Sequence, residues 1–120
     1  MASGEVQELL VEDAQALRAW LARHSASATE VWVVLAKKGA AAPTRLTYRE
    51  ALEEAACYGW IDGQVRRRDD VSYRQRFTPR RSRSAWSKGN IELAERLIAE
   101  GRMQPTGHAA LERARTRPAG

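Results

Sequence analysis

One cysteine, two histidines and one phenylalanine are all that this chain of 120 residues carries of those three types. A lone Cys57 closes no internal disulfide and builds no thiolate zinc site, and His24 and His108 lie far apart in sequence. Carboxylates are then the donors left for a metal, and no metal site is expected. No Gly-rich loop opens a helix after a strand, so no cofactor is expected either. No apolar run approaches the roughly 20 residues that a membrane helix needs. The first residues, "MASGEVQELLVEDAQ", lack the basic-then-apolar pattern of an export signal, and the expected location is the cytoplasm, without a membrane span.

What is present is enough for one core. Hydrophobic residues make up 43% and charged residues 29%, which suits one folded domain over residues 1–120, with 1–8 and 115–120 expected to fray. The net charge of +5 is unevenly spread. Between Trp60 and Lys88 stand nine basic residues (Arg66, Arg67, Arg68, Arg74, Arg76, Arg80, Arg81, Arg83 and Lys88) against Asp62, Asp69 and Asp70. Such an excess attracts an anionic partner, either a small molecule or nucleic acid. Arginines on a strand edge also serve simply to prevent aggregation.

The spacing of Leu10, Ala14, Leu17, Trp20 and Leu21 predicts an amphipathic helix over 10–23. "VWVVLAKK", 31–38, reads as a short strand buried on both faces. In "TYRE", Thr47 and Glu50 form a capping box, opening a helix to about Tyr58 that turns Ala51, Leu52, Ala55 and Ala56 inward and Glu50, Glu53 and Glu54 to water. Gly59 stops it. "WIDGQVRRRDDVSYRQRFT" predicts a hairpin with strands at about 60–67 and 71–78. A three-residue loop of Arg68, Asp69 and Asp70 sets Ile61 opposite Phe77, Val65 opposite Tyr73 and Asp62 opposite Arg76, with Ile61, Val65, Tyr73 and Phe77 covered. Asn90 is placed as the cap of a helix ending at Gly101, and Thr106 as the cap of a last short one. The order gives an α+β fold: a small, mainly antiparallel sheet, made of one buried strand and a hairpin, packed with about four helices.

Three stretches, "LTYREALEEAACYGWIDG", "YRQRFTPRRSRSAWSKGN" and "AERLIAEGRMQPTG", resemble the YdeI/OmpD-associated family, also called OmdA-like or bacteriocin-protection proteins. Together with the helix of Trp20 they span most of the chain. The resemblance implies a role in bacterial resistance to antimicrobial peptides and envelope stress. It brings no catalytic residues with it.

The loop "FTPRRSRSAWSKGN" holds the candidate site. Pro79 stiffens the exit from the hairpin, so the fork of Arg80 can be held in place. Ser84 offers a hydroxyl, Trp60 and Trp86 offer flat walls, Asn90 stands where a helix presents free N–H groups, and Asp62 with Arg76 forms a polar floor. The expectation is that residues 79–90 fold back over the hairpin into a partly enclosed pocket lined by Trp60, Asp62, Arg76, Arg80, Ser84, Trp86 and Asn90, binding an anionic or polar small molecule or peptide. Each residue has a structural reading too: Ser84 as a helix cap, Trp86 as core, Asp62 and Arg76 as a cross-strand ion pair. Nucleic-acid binding by the hairpin arginines is the second reading. An enzyme using Asp62 as base, Tyr73 as acid and Arg76 with Arg80 as charge stabilisers is the third. No nucleophile–base pair is spaced for it, so a non-catalytic role is expected.

Overall fold

In the computed structural model, which describes residues 8–80 and 86–115, the chain runs β1 (Glu8–Leu9), α1 (Ala14–His24), β2 (Val31–Ala36), α2 (Tyr48–Cys57), β3 (Trp60–Arg67), β4 (Ser72–Pro79), α3 (Lys88–Ala99) and α4 (Pro105–Arg115). The strands form one sheet in the order β1-β2-β4-β3, parallel between β1 and β2 and antiparallel elsewhere. This is the expected α+β class with four helices. Two-residue β1 is an addition: it is too short to leave a periodic trace in sequence.

Val31 to Leu35 are all buried, as a strand covered on both faces requires. Val31, Val33, Leu35 and Phe77 meet Leu17 and Leu21 of α1 and Ala51 and Ala55 of α2 in the main core. Trp60 completes it, with its ring edge-on to Trp20 at 6.2 Å between centroids. A second cluster of Cys57, Ala94, Leu97, Met103 and Leu111 docks α3 and α4 onto α2.

The Thr47–Glu50 capping box forms, with Glu50 N–H donating to Thr47 Oγ1 (3.2 Å) and Thr47 N–H to Glu50 Oε1 (3.0 Å). Gly59, at φ +79°, ends this helix in the left-handed region that favours glycine. Other boundaries differ from the sequence reading. Helix α1 starts at Ala14 because Asp13 accepts from Ala16 N–H, which leaves Leu10 outside it and exposed. Ser87, not Asn90, caps α3, its hydroxyl accepting from Asn90 N–H at 3.1 Å. Helix α4 starts at Pro105, whose fixed φ suits the first turn, so Thr106 lies inside it. Glu8 and Arg115, assigned to fraying ends, are held by ion pairs to Arg68 and Arg74 and to Glu95.

Glu54 does not face water. It is 3% exposed, with Arg18 Nε and Nη2 donating to its two oxygens at 2.9 and 2.8 Å and Arg102 Nη2 donating at 3.2 Å.

The hairpin exists, but its register is corrected. Trp60 lies opposite Pro79, Ile61 opposite Thr78 and Asp62 opposite Phe77; beyond a bulge, Val65 lies opposite Gln75 and Arg67 opposite Tyr73. Asp62 therefore never faces Arg76, and Val65 is 59% exposed. Two residues cause the shift. Buried Gln75 donates its amide to the carbonyls of Gly63 (2.9 Å) and Gln64 (3.3 Å), so the bulge leaves these acceptors satisfied. At the tip, Asp69 Oδ1 accepts from Val71 N–H, Ser72 N–H and Ser72 Oγ, holding a wider turn than the three-residue loop.

Candidate functional site

Arg80 leaves β4 directly after Pro79, its backbone N–H donating to the Gly59 carbonyl at 3.0 Å. That bond pins the residue between the end of α2 and the base of the hairpin. Its side chain turns inward and is 9% exposed. The guanidinium carbon lies 3.8 Å from the centroid of the Trp86 ring, a stacked cation–π contact. Nη1 is buried and has no hydrogen-bond partner among the described residues. Burial draws the Arg80 pKa down from its ordinary value, and the nearby Asp62 charge opposes this. The group stays cationic, since guanidinium does not deprotonate in proteins.

A small cavity of about 10 Å³ adjoins the guanidinium. Leu52 and Ala56 of α2, Ile61 and Trp60 of β3, and Leu93 and Ala94 of α3 give it apolar walls, while Asn90 and Arg80 are its polar members. Asn90 enters from the first turn of α3, where backbone N–H groups carry partial positive charge.

The predicted site residues are thus divided. Trp60, Arg80, Trp86 and Asn90 come together around the cavity. Asp62 stands beside them electrostatically but accepts its hydrogen bond from Tyr48 Oη at 2.7 Å. Burial first, and then the Asp62 carboxylate, push the Tyr48 hydroxyl up to about 12. Arg76 goes elsewhere. Residues alternate across a strand, so with Phe77 in the core Arg76 points to the other face and its Nε donates to Glu30 at 2.7 Å. The expected Asp62–Arg76 floor does not form. Ser84 lies outside the described residues.

Tyr48, Leu52 and Leu93 were missed as parts of the site. Tyr48 reads in sequence only as a residue inside the capping-box stretch, Leu52 only as a helix-face residue, and Leu93 falls in no stripe read from the sequence. Nothing in local spacing links residue 48 to residue 62.

Among the described residues no hydrogen bond joins Asp62 to Tyr73, the acid–base pair of the enzyme reading; Asp62 accepts from Tyr48 instead. Tyr73 sits four residues along β4 from Phe77, the partner of Asp62, which is about 13 Å at the rise of a strand. Cys57 is buried, and burial followed by the Glu54 charge pushes its thiol up to about 11, away from nucleophilic use. The hairpin arginines are largely engaged: Arg68 and Arg74 both donate to Glu8, Arg76 donates to Glu30, and Arg66 lies 5.1 Å over the Trp32 ring. Among the described residues no helix is long and apolar enough to cross a membrane.

Residues 9–110 match the model of a family described as "Domain of unknown function (DUF8412)". No curated protein and no solved structure matches the chain.

Proposed function

The chain belongs to the DUF8412 family, and we propose that it is a non-catalytic protein of the cytoplasm that binds an anionic or polar ligand at Arg80 and, through it, contributes to resistance of the bacteriocin-protection type. One observation carries the binding half: Arg80, a residue 9% exposed, has its guanidinium stacked on Trp86 and its buried Nη1 without a hydrogen-bond partner among the described residues. An uncompensated buried charge is costly, and an anion in the adjoining cavity removes the cost. The resistance half rests on the resemblance of the "GWIDG", "RFTPR" and "SAWSKGN" stretches to YdeI/OmpD-associated proteins.

Arg80→Met tests it. The substitution keeps the aliphatic stem and removes the charge, so stability is expected to stay within about 1 kcal/mol or to rise. Calorimetric titration with sodium formate, benzoate and phosphate is expected to show binding of at least one of them to the wild type and none to the variant. Cells producing the variant are expected to lose protection against an antimicrobial peptide. Equal anion binding and equal protection by Arg80→Met defeat the proposal. Trp86→Ala is expected to weaken binding and also to lower stability by about 2 kcal/mol, because the ring packs as well as stacks.

Nucleic acid is the weaker partner. Glu8, Asp69 and Glu30 already pair with Arg68, Arg74 and Arg76. Binding to single-stranded RNA or to duplex DNA is expected to be weak at physiological salt and to fall steeply as salt rises. A sequence-dependent, submicromolar affinity in a salt-titrated binding assay reverses the ranking.

A further inference from the structure

The size and charge of the Arg80 cavity narrow its ligand further than "anionic or polar". Among the described residues Arg80 is the one charged side chain lining it, and the other walls are apolar apart from Asn90. A dianion such as phosphate or sulfate would leave a desolvated negative charge over, with the Asp62 carboxylate already acting on Arg80. Volume limits how much of an acid can be buried there: about 10 Å³ is open to the centre of a water-sized body, room for a few non-hydrogen atoms against the guanidinium. Orientation is fixed too. Trp86 covers a face of the guanidinium, which leaves the N–H edge in the plane as the donor. The first turn of α3 meets the same space through Asn90 and adds its partial positive charge.

The wider cavity elsewhere in the molecule supplies a contrast. It measures about 180 Å³ and is lined by Arg18, Arg102, Glu54 and Cys57. There both guanidiniums already hold the Glu54 carboxylate at 2.8–3.2 Å, so no external anion is called for. Arg80 differs in having no carboxylate hydrogen-bonded to it among the described residues.

From this we infer that the Arg80 cavity is a binding site for a small monovalent anion, of the size of chloride or formate, which acts as the counter-ion of the buried guanidinium. The inference rests on the reading of Arg80 as the ligand-holding group and adds the class of ligand. It has a consequence for the fold. The anion joins a residue at the end of β4 to the start of α3, so it binds the folded chain and stabilises it by mass action.

The experiment follows the chloride NMR line width in a solution of the full chain, with gluconate as the balancing anion at constant ionic strength. Saturable broadening is expected, reversed by formate and about tenfold less readily by benzoate, sulfate or phosphate. The melting temperature is expected to rise as chloride or formate replaces gluconate. Arg80→Met is expected to abolish both effects, and Arg80→Lys, which keeps the charge without the fork, to weaken them severalfold. Circular dichroism checks that both variants fold. If Arg80→Met does not, the competition series on the wild type and Arg80→Lys still decide. Benzoate, sulfate or phosphate displacing chloride as readily as formate overturns the small-monoanion assignment and leaves Arg80 as a ligand site. Absence of Arg80-dependent binding by any of these anions, or broadening unchanged in both variants, overturns the assignment and the ligand-site reading together.

Discussion

Gly107→Ala is expected to lower the stability of the chain by about 3 kcal/mol or more, a large part of what a domain of this size has. Gly107 lies in α4 where that helix crosses the end of α2. A Cβ at this position would fall on the Cys57 carbonyl oxygen and on Met103 Sδ, with the Cys57 carbonyl carbon at 3.0 Å. Met103 can swing away, but the carbonyl cannot. It accepts from Gln104 N–H at 2.9 Å, the bond that fixes the entry into α4. The helix must therefore lift, and Leu111 and Ala110 lose their burial with it. Gly59→Ala faces the same junction from the other side: its φ is +79° and its Cβ would stand 2.9 Å from the Thr106 carbonyl oxygen. Gly101→Ala is the control. That residue also has positive φ, +73°, but nothing lies within 4 Å of the added carbon, so the cost is conformational alone, about 1 kcal/mol. Urea denaturation of the three variants separates steric from conformational cost. A Gly107→Ala protein no less stable than Gly101→Ala shows that α4 does not depend on this close approach.

What could be read from the chain was local. Thr47 and Glu50 stand three residues apart and cap the same helix end, so their pairing follows from sequence alone. The Val-rich apolar run of Val31 to Leu35 declares a buried strand in the same way, and the alternation on either side of Asp69 declares a hairpin. The register did not follow, because it depends on where two carbonyls in β3 find a donor. Gln75 supplies that donor from the partner strand, twelve residues from Gly63, and periodicity carries no mark of it. Glu54 was read as a water-facing residue for a similar reason. Its helix position is ordinary; only Arg18 and Arg102, 36 and 48 residues away, make its burial tolerable. The site divides along the same line. Arg80 after a proline and Trp86 before a helix stand out in a loop, and they do stack. Asp62 was misplaced as soon as the register was, since a one-residue slip turns it to the face of Phe77 and away from Arg76. Leu52 and Leu93 come to the cavity from two different helices, and only tertiary packing brings them there.

Glu53→Gln is expected to cost about 2 kcal/mol at neutral pH and little near pH 2. Burial by itself raises the Glu53 carboxyl, but hydrogen bonds from Arg102, Arg49 and Arg96 overcome it and bring the pKa down to about 2 from an ordinary 4.5. The three donors stand at 2.9, 3.1 and 2.8 Å and come, in that order, from the loop before α4, from α2 itself and from α3. One carboxylate thus ties three parts of the helical layer together. The shift corresponds to about 3 kcal/mol between the two protonation states at most. Arg49 and Arg96 are well exposed, so solvent screening brings the expected value lower. The folded pKa lies below the unfolded one, so the unfolded chain binds more protons in the interval between them. The stabilisation is then complete above about pH 4.5, shrinks as the pH falls and is lost through about pH 2. The amide that replaces the carboxylate in the variant neither titrates nor carries charge. The variant's stability should therefore fall less steeply across that window, and the two curves should meet at its acid end. Added salt should narrow the gap at neutral pH, since two of the three arginines are open to solvent. Glu8→Gln makes a useful comparison: burial raises that carboxyl, hydrogen bonds from Arg74 and Arg68 lower it on balance, and it ties β1 to the hairpin rather than helix to helix. Urea denaturation of wild type and Glu53→Gln between pH 2 and pH 7 decides the matter. A stability gap of the same size at both ends would mean that Glu53 acts through packing and not through its charge.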